Sequence, residues 1–222
     1  MKAAIITIGL VVLLISGSSS AAEDKYFYSS GQILPGETWH YVYIYNDNTI
    51  VDMLGGQIDS LFTSNISSFN ILGGEVGGES GIIDIEKSST LNVFGGVLDI
   101  GTFVPREGSY TMISGGDITV GRMKLYGDAT VDIRGGELQL DSIDMVDVFY
   151  ELPTINVYGY GFNYNPTGGF QGRGILTGYL LDGNFFSIDQ LSESELQRFN
   201  LIPEPATLLL LGLGGLLLRK RS

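Results

Sequence analysis

The chain has 222 residues with no cysteine, a single histidine and 32 glycines, which excludes thiol nucleophiles, Cys-type zinc sites and His-rich metal sites. Its formal charge is −13, and from Glu23 to Pro203 there are 24 acidic and 8 basic residues, a charge of −16. A field of that sign repels nucleic acid and anionic lipid, so no nucleic-acid partner is expected. Divalent cations and neutral or cation-bridged polysaccharides suit it better.

The chain begins with Lys2, an apolar run from Ala3 to Ile15, and a small polar region, Ser16 to Ala22. Ser20 and Ala22 occupy the −3 and −1 positions of a cut before Glu23. The run falls short of the roughly 20 apolar residues a bilayer span needs. Residues 1–22 therefore read as a helical signal peptide for signal peptidase. The mature chain is long enough to bury a core without disulfides.

Tyr26 to Tyr45 is rich in tyrosine and holds the only tryptophan, Trp39, and the only histidine, His40. It reads as an N-terminal cap over about residues 23–46. A Ser-His-Asp triad would have to use His40, but within this strand-like run His40 reads as a strand-surface residue.

Gly-Gly pairs follow at residues 55–56, 73–74, 95–96, 115–116 and 135–136, spaced by 18, 22, 20 and 20 residues. Apolar residues recur mostly four and two places before the first glycine and three places after it. That alternation marks strands with one buried face. Glycine suits the corner between them because it reaches positive φ without a Cβ clash. A second glycine marker recurs at Gly101 and Gly121.

A repeat of about 20 residues suits an all-β fold, a single-stranded parallel β-helix spanning residues 23–190. Val51, Phe69, Leu91 and Val131 should form one inward column, and Met53, Ile71, Val93, Ile113 and Ile133 a second. An antiparallel sandwich is the competing all-β fold. The rhythm breaks after Ile155, where a Gly-rich loop from Gly168 to Gly174 leads to the last coils and a cap over about 150–190. Ser192 and Glu195 have capping-box spacing, and residues 191–202 read as a linker.

Outward positions should also stack, about 4.8 Å apart along the axis. Asp52, Asn70, Asn92, Met112 and Asp132 form one such row; Gln57, Glu75, Val97, Asp117 and Glu137 form another. Carboxylates that close repel unless a cation bridges them, so Asp99, Asp117, Asp132 and Glu137 are a candidate calcium or glycan face. The alternative is a solvated face that keeps strands from aggregating. Otherwise no cofactor is expected, and no catalytic residue is assigned.

Three activities remain open for the body. One is a surface or matrix protein presenting a rigid face. Another is a carbohydrate-binding module using tyrosines such as Tyr158, Tyr160, Tyr164 and Tyr179. The last is a carbohydrate-active enzyme, a lyase or glycoside hydrolase, using paired carboxylates with Arg106, Arg122, Lys124 or Arg134. About five or six coils, with no loop long enough to wall a deep cleft, favour the non-enzymatic readings.

The tail runs Ile202-Pro203-Glu204-Pro205-Ala206-Thr207, an almost pure Leu/Gly stretch to Leu218, then Arg219-Lys220-Arg221. A short apolar segment closed by cations reads as a transmembrane-type helix with its basic end in the cytoplasm. Pro-Glu-Pro, apolar helix and basic cluster, in that order, resemble the PEP-CTERM sorting signal of Gram-negative bacteria over residues 203–222. The resemblance implies transient inner-membrane anchoring and recognition by an exosortase, with cutting near Pro203, Glu204 and Pro205. It further implies a secreted or cell-surface location, in organisms that make exopolysaccharide.

Overall fold

The computed structural model describes residues 22–146 and 152–203. The expected signal helix, and the tail from Glu204 through Arg219, Lys220 and Arg221, lie outside the described residues. Among those described, no helix is long and apolar enough to cross a membrane.

The first coils are built from β1 (Glu23–Phe27), β2 (Gly31–Ile33), β3 (Thr38–Ile44), β4 (Ile50–Met53) and β5 (Gln57–Thr63). The middle holds β6 (Ser68–Ile71), β7 (Glu75–Ile85), β8 (Thr90–Val93), β9 (Val97–Pro105) and β10 (Tyr110–Tyr126). Then come β11 (Thr130–Leu140), β12 (Ile143–Val146), β13 (Thr154–Asn165), β14 (Gly174–Leu180) and β15 (Phe185–Leu191). A short α-helix, α1 (Glu193–Leu196), precedes β16 (Phe199–Pro203).

These strands wind into a β-solenoid of about six turns. One parallel ladder runs β2–β4–β6–β8–β10–β11–β13–β16. The other starts at β1 and runs through β3, β5, β7 and β9 to β10, and from there to β11 and β12. Parallel pairing throughout the repeats excludes the sandwich. β10 and β11 serve both ladders because each turns the Gly-Gly corner without ending.

Both anticipated columns are inside. Val51, Phe69, Leu91 and Val131 stack in register, as do Met53, Ile71, Val93, Ile113 and Ile133, all at most 2% exposed. Thr111 occupies the fourth place of the first column, fully buried, with its hydroxyl unpaired. Phe69 is among the largest buried side chains, and its truncation to alanine would cost about 3–5 kcal/mol.

The glycine pairs are fixed by close stacking as well as by φ. Gly56, Gly74, Gly96, Gly116 and Gly136 have φ between +83° and +99°. A Cβ on Gly74 would stand 2.7 Å from the Gly56 carbonyl oxygen, one on Gly96 2.8 Å from that of Gly74. Each second glycine thus lies directly over the carbonyl of the coil before it.

The C-terminal part departs from the repeat. β13 leaves the solenoid at Gly159, pairs antiparallel with β14, and β14 pairs antiparallel with β15. β15 then rejoins the body in parallel against β11, Phe186 opposite Leu138. Ser192 and Glu195 do form a capping box, at the start of α1. Residues 191–202, expected as a linker, contain α1 and most of β16, which is the last rung of the first ladder: Phe199 opposite Ile155, and Pro203 opposite Gly159.

Candidate functional site

The four acidic candidates do not form one group. Asp117 and Glu137 are register partners on adjacent coils, both exposed, and Asp99 sits one coil earlier, opposite Thr119. Asp132 lies on the other ladder and is 4% exposed. Among the described residues no group of three or more His, Asp or Glu is placed to hold a metal ion.

Asp132 is instead the hub of a hydrogen-bond network. Its Oδ1 accepts from the Asn156 amide at 2.7 Å. Its Oδ2 accepts from Arg134 Nη2 at 2.7 Å and from the Tyr110 hydroxyl at 2.9 Å. Burial alone would raise its pKa, but the bonds from Asn156, Arg134 and Tyr110 outweigh burial and hold it below the ordinary aspartate value. The same bond to Asp132 raises Arg134, whose guanidinium lies 4.8 Å over the Tyr158 ring.

The amide row continues on both sides of the break at Met112. Asn70 donates to Asp52 at 2.7 Å and Asn92 to Asn70 at 2.8 Å, while Asn200 donates to Asn156 at 2.8 Å. Side-chain amides suit a parallel ladder because each can donate to the rung on one side and accept from the other.

Two of the basic residues considered as catalytic bases, Arg106 and Arg122, are engaged between coils, and Arg134 is held by Asp132 on its own strand. Arg106 grips Asp84 through two bonds of 2.7 Å, which raise its pKa, and Arg122 Nε donates to Asp144 at 2.6 Å. Lys124 is the register neighbour of Asp144. The Arg106–Asp84 and Arg122–Asp144 pairs tie one turn to another.

The tyrosines singled out near the C-terminus have separate surroundings. Tyr158 lies under Arg134, and the Tyr164 hydroxyl donates to the Leu191 carbonyl. Tyr160 and Tyr179 stack on each other at 5.5 Å.

The more concave surface lies at the N-terminal end. Residues of β3 and β5 pair with a 19-residue offset and β5 and β7 begin with one of 18, but β7 resumes pairing with β5 only after slipping four places, from Ile58–Val76 to Leu61–Ile83. The extra residues, 77–80, lie in the stretch of β7 without partners on β5, and Gly77 and Gly78, at φ +120° and +148°, pair instead with Asp99 and Ile100 of β9. Only glycine adopts such backbone readily. Together with His40, Tyr41, Asp59 and Ser60, residues Gly77, Gly78, Ser80 and Gly81 line an open cavity of about 340 Å³. His40 is exposed, as expected, and its Nδ1 stands 3.8 Å from Asp24.

Beside this cavity runs an aromatic row. Tyr26 stacks on Tyr43 at 5.0 Å and Tyr43 on Phe62 at 5.1 Å, rings within 17° of parallel, while Tyr28 stacks on Tyr45 at 5.7 Å. Burial followed by the nearby Asp24 raises the pKa of both Tyr26 and Tyr43, so their hydroxyls stay protonated. The sequence shows the tyrosines and the irregular 22-residue spacing. It does not show that the insertion falls beside them, because neither feature marks which coil corner receives the extra residues.

No curated protein and no solved structure matches this chain. A match to the PEP-CTERM protein-sorting motif covers residues 201–222, beginning inside β16 at Leu201. The chain is thus a β-solenoid whose last strand runs into an exosortase sorting signal, and that signal implies an exported protein directed to secretion or the cell surface.

Proposed function

We propose that this chain is a non-enzymatic surface or matrix protein whose acidic solenoid associates with exopolysaccharide. Signal peptidase removes residues 1–22, the apolar tail holds the precursor in the inner membrane, and exosortase cuts near Pro203-Glu204-Pro205. The observation that carries this reading is the sorting motif itself, joined to a rigid body. Supporting it, Arg106, Arg122 and Arg134 are each committed to a carboxylate. The open cavity beside Tyr41 and Asp59 offers an aromatic ring and a carboxylate to sugar hydroxyls, and the acidic body disfavours a polyanionic glycan. Asp117 and Glu137, stacked on adjacent coils, are the carboxylates a calcium ion would bridge to a polymer.

The test mixes full-length protein in mild detergent with exopolysaccharide from the producing organism, with and without calcium, and follows co-sedimentation and polymer length together. Co-sedimentation with intact polymer supports the proposal. Shortened polymer identifies an enzyme and overturns it, and intact polymer without binding removes the exopolysaccharide role. Alanine at Pro203, Glu204 and Pro205 should abolish the mass loss produced by an exosortase-bearing host.

A further inference from the structure

At the C-terminal end, Tyr160, Tyr179 and Phe185 are 44%, 44% and 50% exposed. They form one surface: Tyr160 stacks on Tyr179 at 5.5 Å, and Phe185 meets the Tyr179 ring edge-on at 5.8 Å. Leu181, 43% exposed, follows in the turn after β14. Three touching aromatic rings left this open, with Leu181 beside them, make a contiguous apolar patch of the kind that meets something. Asp182, the residue after Leu181, is engaged in bonds, accepting from the Gly136 and Asn184 backbone amides at 2.6 and 3.0 Å.

The position of this surface relative to the tail decides what it meets. Gly159 pairs with Pro203 on one side and with Leu180 on the other, and Tyr160, the next residue, pairs with Tyr179. Neighbouring strands are about 4.8 Å apart, so the surface begins one strand from the end of β16. The apolar stretch starts at Ala206, and three extended residues reach at most about 10 Å. The headgroup layer on each side of the hydrocarbon is itself about 5–8 Å thick. With the tail inserted, the end of the solenoid has nowhere to sit but against the lipid headgroups. Tyrosine is enriched at that depth, because its ring is apolar and its hydroxyl polar.

We propose that Tyr160, Tyr179 and Phe185 form a membrane-interface patch that seats the solenoid on the bilayer while the precursor awaits cleavage. The proposal rests on the reading of the tail as a membrane anchor. Insertion of the tail, rather than attraction of the acidic body, holds the patch there. Cleavage near Pro203 removes the anchor and leaves the patch too small to retain the body alone.

The chain's single tryptophan, Trp39, lies in the first turn and provides the contrast. Full-length precursor is reconstituted into phosphatidylethanolamine–phosphatidylglycerol vesicles with brominated acyl chains, and tryptophan quenching is read. The parent should show emission unaffected by bromine. The Trp39→Phe/Phe185→Trp variant should lose emission, and Trp39→Phe/Tyr179→Trp, on the same exposed surface, supplies a second probe should the first fail to fold. Carbonate-resistant protein with both probes unquenched overturns the patch and leaves the anchor standing. Protein stripped from the vesicles by carbonate overturns both.

Discussion

The Asn156 side-chain amide donates to Asp132 Oδ1 at 2.7 Å across one rung, and Asn200 donates in turn to Asn156 at 2.8 Å. This binds the final strand, and with it the entry to the sorting motif, to the most heavily bonded carboxylate in the described body. Asp132→Ala strands Tyr110, Arg134 and Asn156 without their acceptor. A loss of about 2–3 kcal/mol is expected, read as a lower urea midpoint, with Asp132→Asn costing less.

The same carboxylate makes stability depend on acidity. Its native pKa lies below its unfolded value, so its contribution is complete above the unfolded value near 3.9 and is lost as pH falls through the native one. Urea midpoints of the parent and Asp132→Asn should differ at pH 6, and the gap should begin to narrow below about pH 4 and shrink as pH falls further. A gap that stays constant to pH 2 would contradict this assignment.

The glycine stack gives a controlled comparison. Gly36 and Gly96 share nearly the same φ, +89° and +85°, but a Cβ meets nothing within 4 Å at Gly36 and the Gly74 carbonyl at 2.8 Å at Gly96. Gly36→Ala should cost about 1–2 kcal/mol from backbone conformation alone. Gly96→Ala should cost distinctly more, because a coil must also move away from its neighbour. Thermal melts of the two variants, side by side, measure the difference.

At the N-terminal cavity, Tyr41→Ala and Asp59→Asn change side chains that line the opening. Each should weaken polysaccharide binding about tenfold, the effect of roughly 1.4 kcal/mol, with little change in melting temperature. Deleting residues 77–80 removes the wall and restores the 18-residue offset between β5 and β7. That deletion should fold and fail to bind. The His40 imidazole resonance, the only one in the chain, reports directly whether oligosaccharide reaches the site.

β16 holds on through one edge, and Phe199, 8% exposed, is its main core contact. Phe199→Ala should loosen this strand ahead of the rest. Limited trypsin digestion should then cut after Arg198 faster than in the parent, while β4 and β6 amides keep their exchange protection.

The repeat made most of the solenoid legible. Residues that alternate on either side of a Gly-Gly pair can fill only one kind of coil, and Val51 through Val131 and Met53 through Ile133 lie where the pattern puts them. The excursion through β13, β14 and β15 was not legible, because Tyr158 to Leu191 carries strand-forming residues without the spaced glycines that announce direction. β16 was hidden for a related reason: its partner, β13, is 44 residues away, more than twice the repeat. The outward row of Asp52, Asn70, Asn92 and Asp132 was visible as a row. Its extension to Asn156 and Asn200 required that long-range pairing.

The second-glycine stack also governs how such a chain can change over evolutionary time. Each of these glycines sits over a carbonyl one turn away, so lengthening by a whole coil restores every contact, whereas adding one residue to a paired strand turns inward side chains to solvent. Duplication or loss of units near 20 residues is the open route to longer or shorter descendants. The extra residues 77–80 mark the other tolerated place for novelty, where pairing pauses and then resumes four residues further along with the same faces turned inward. Length would vary by whole turns, and recognition by what is inserted at such places.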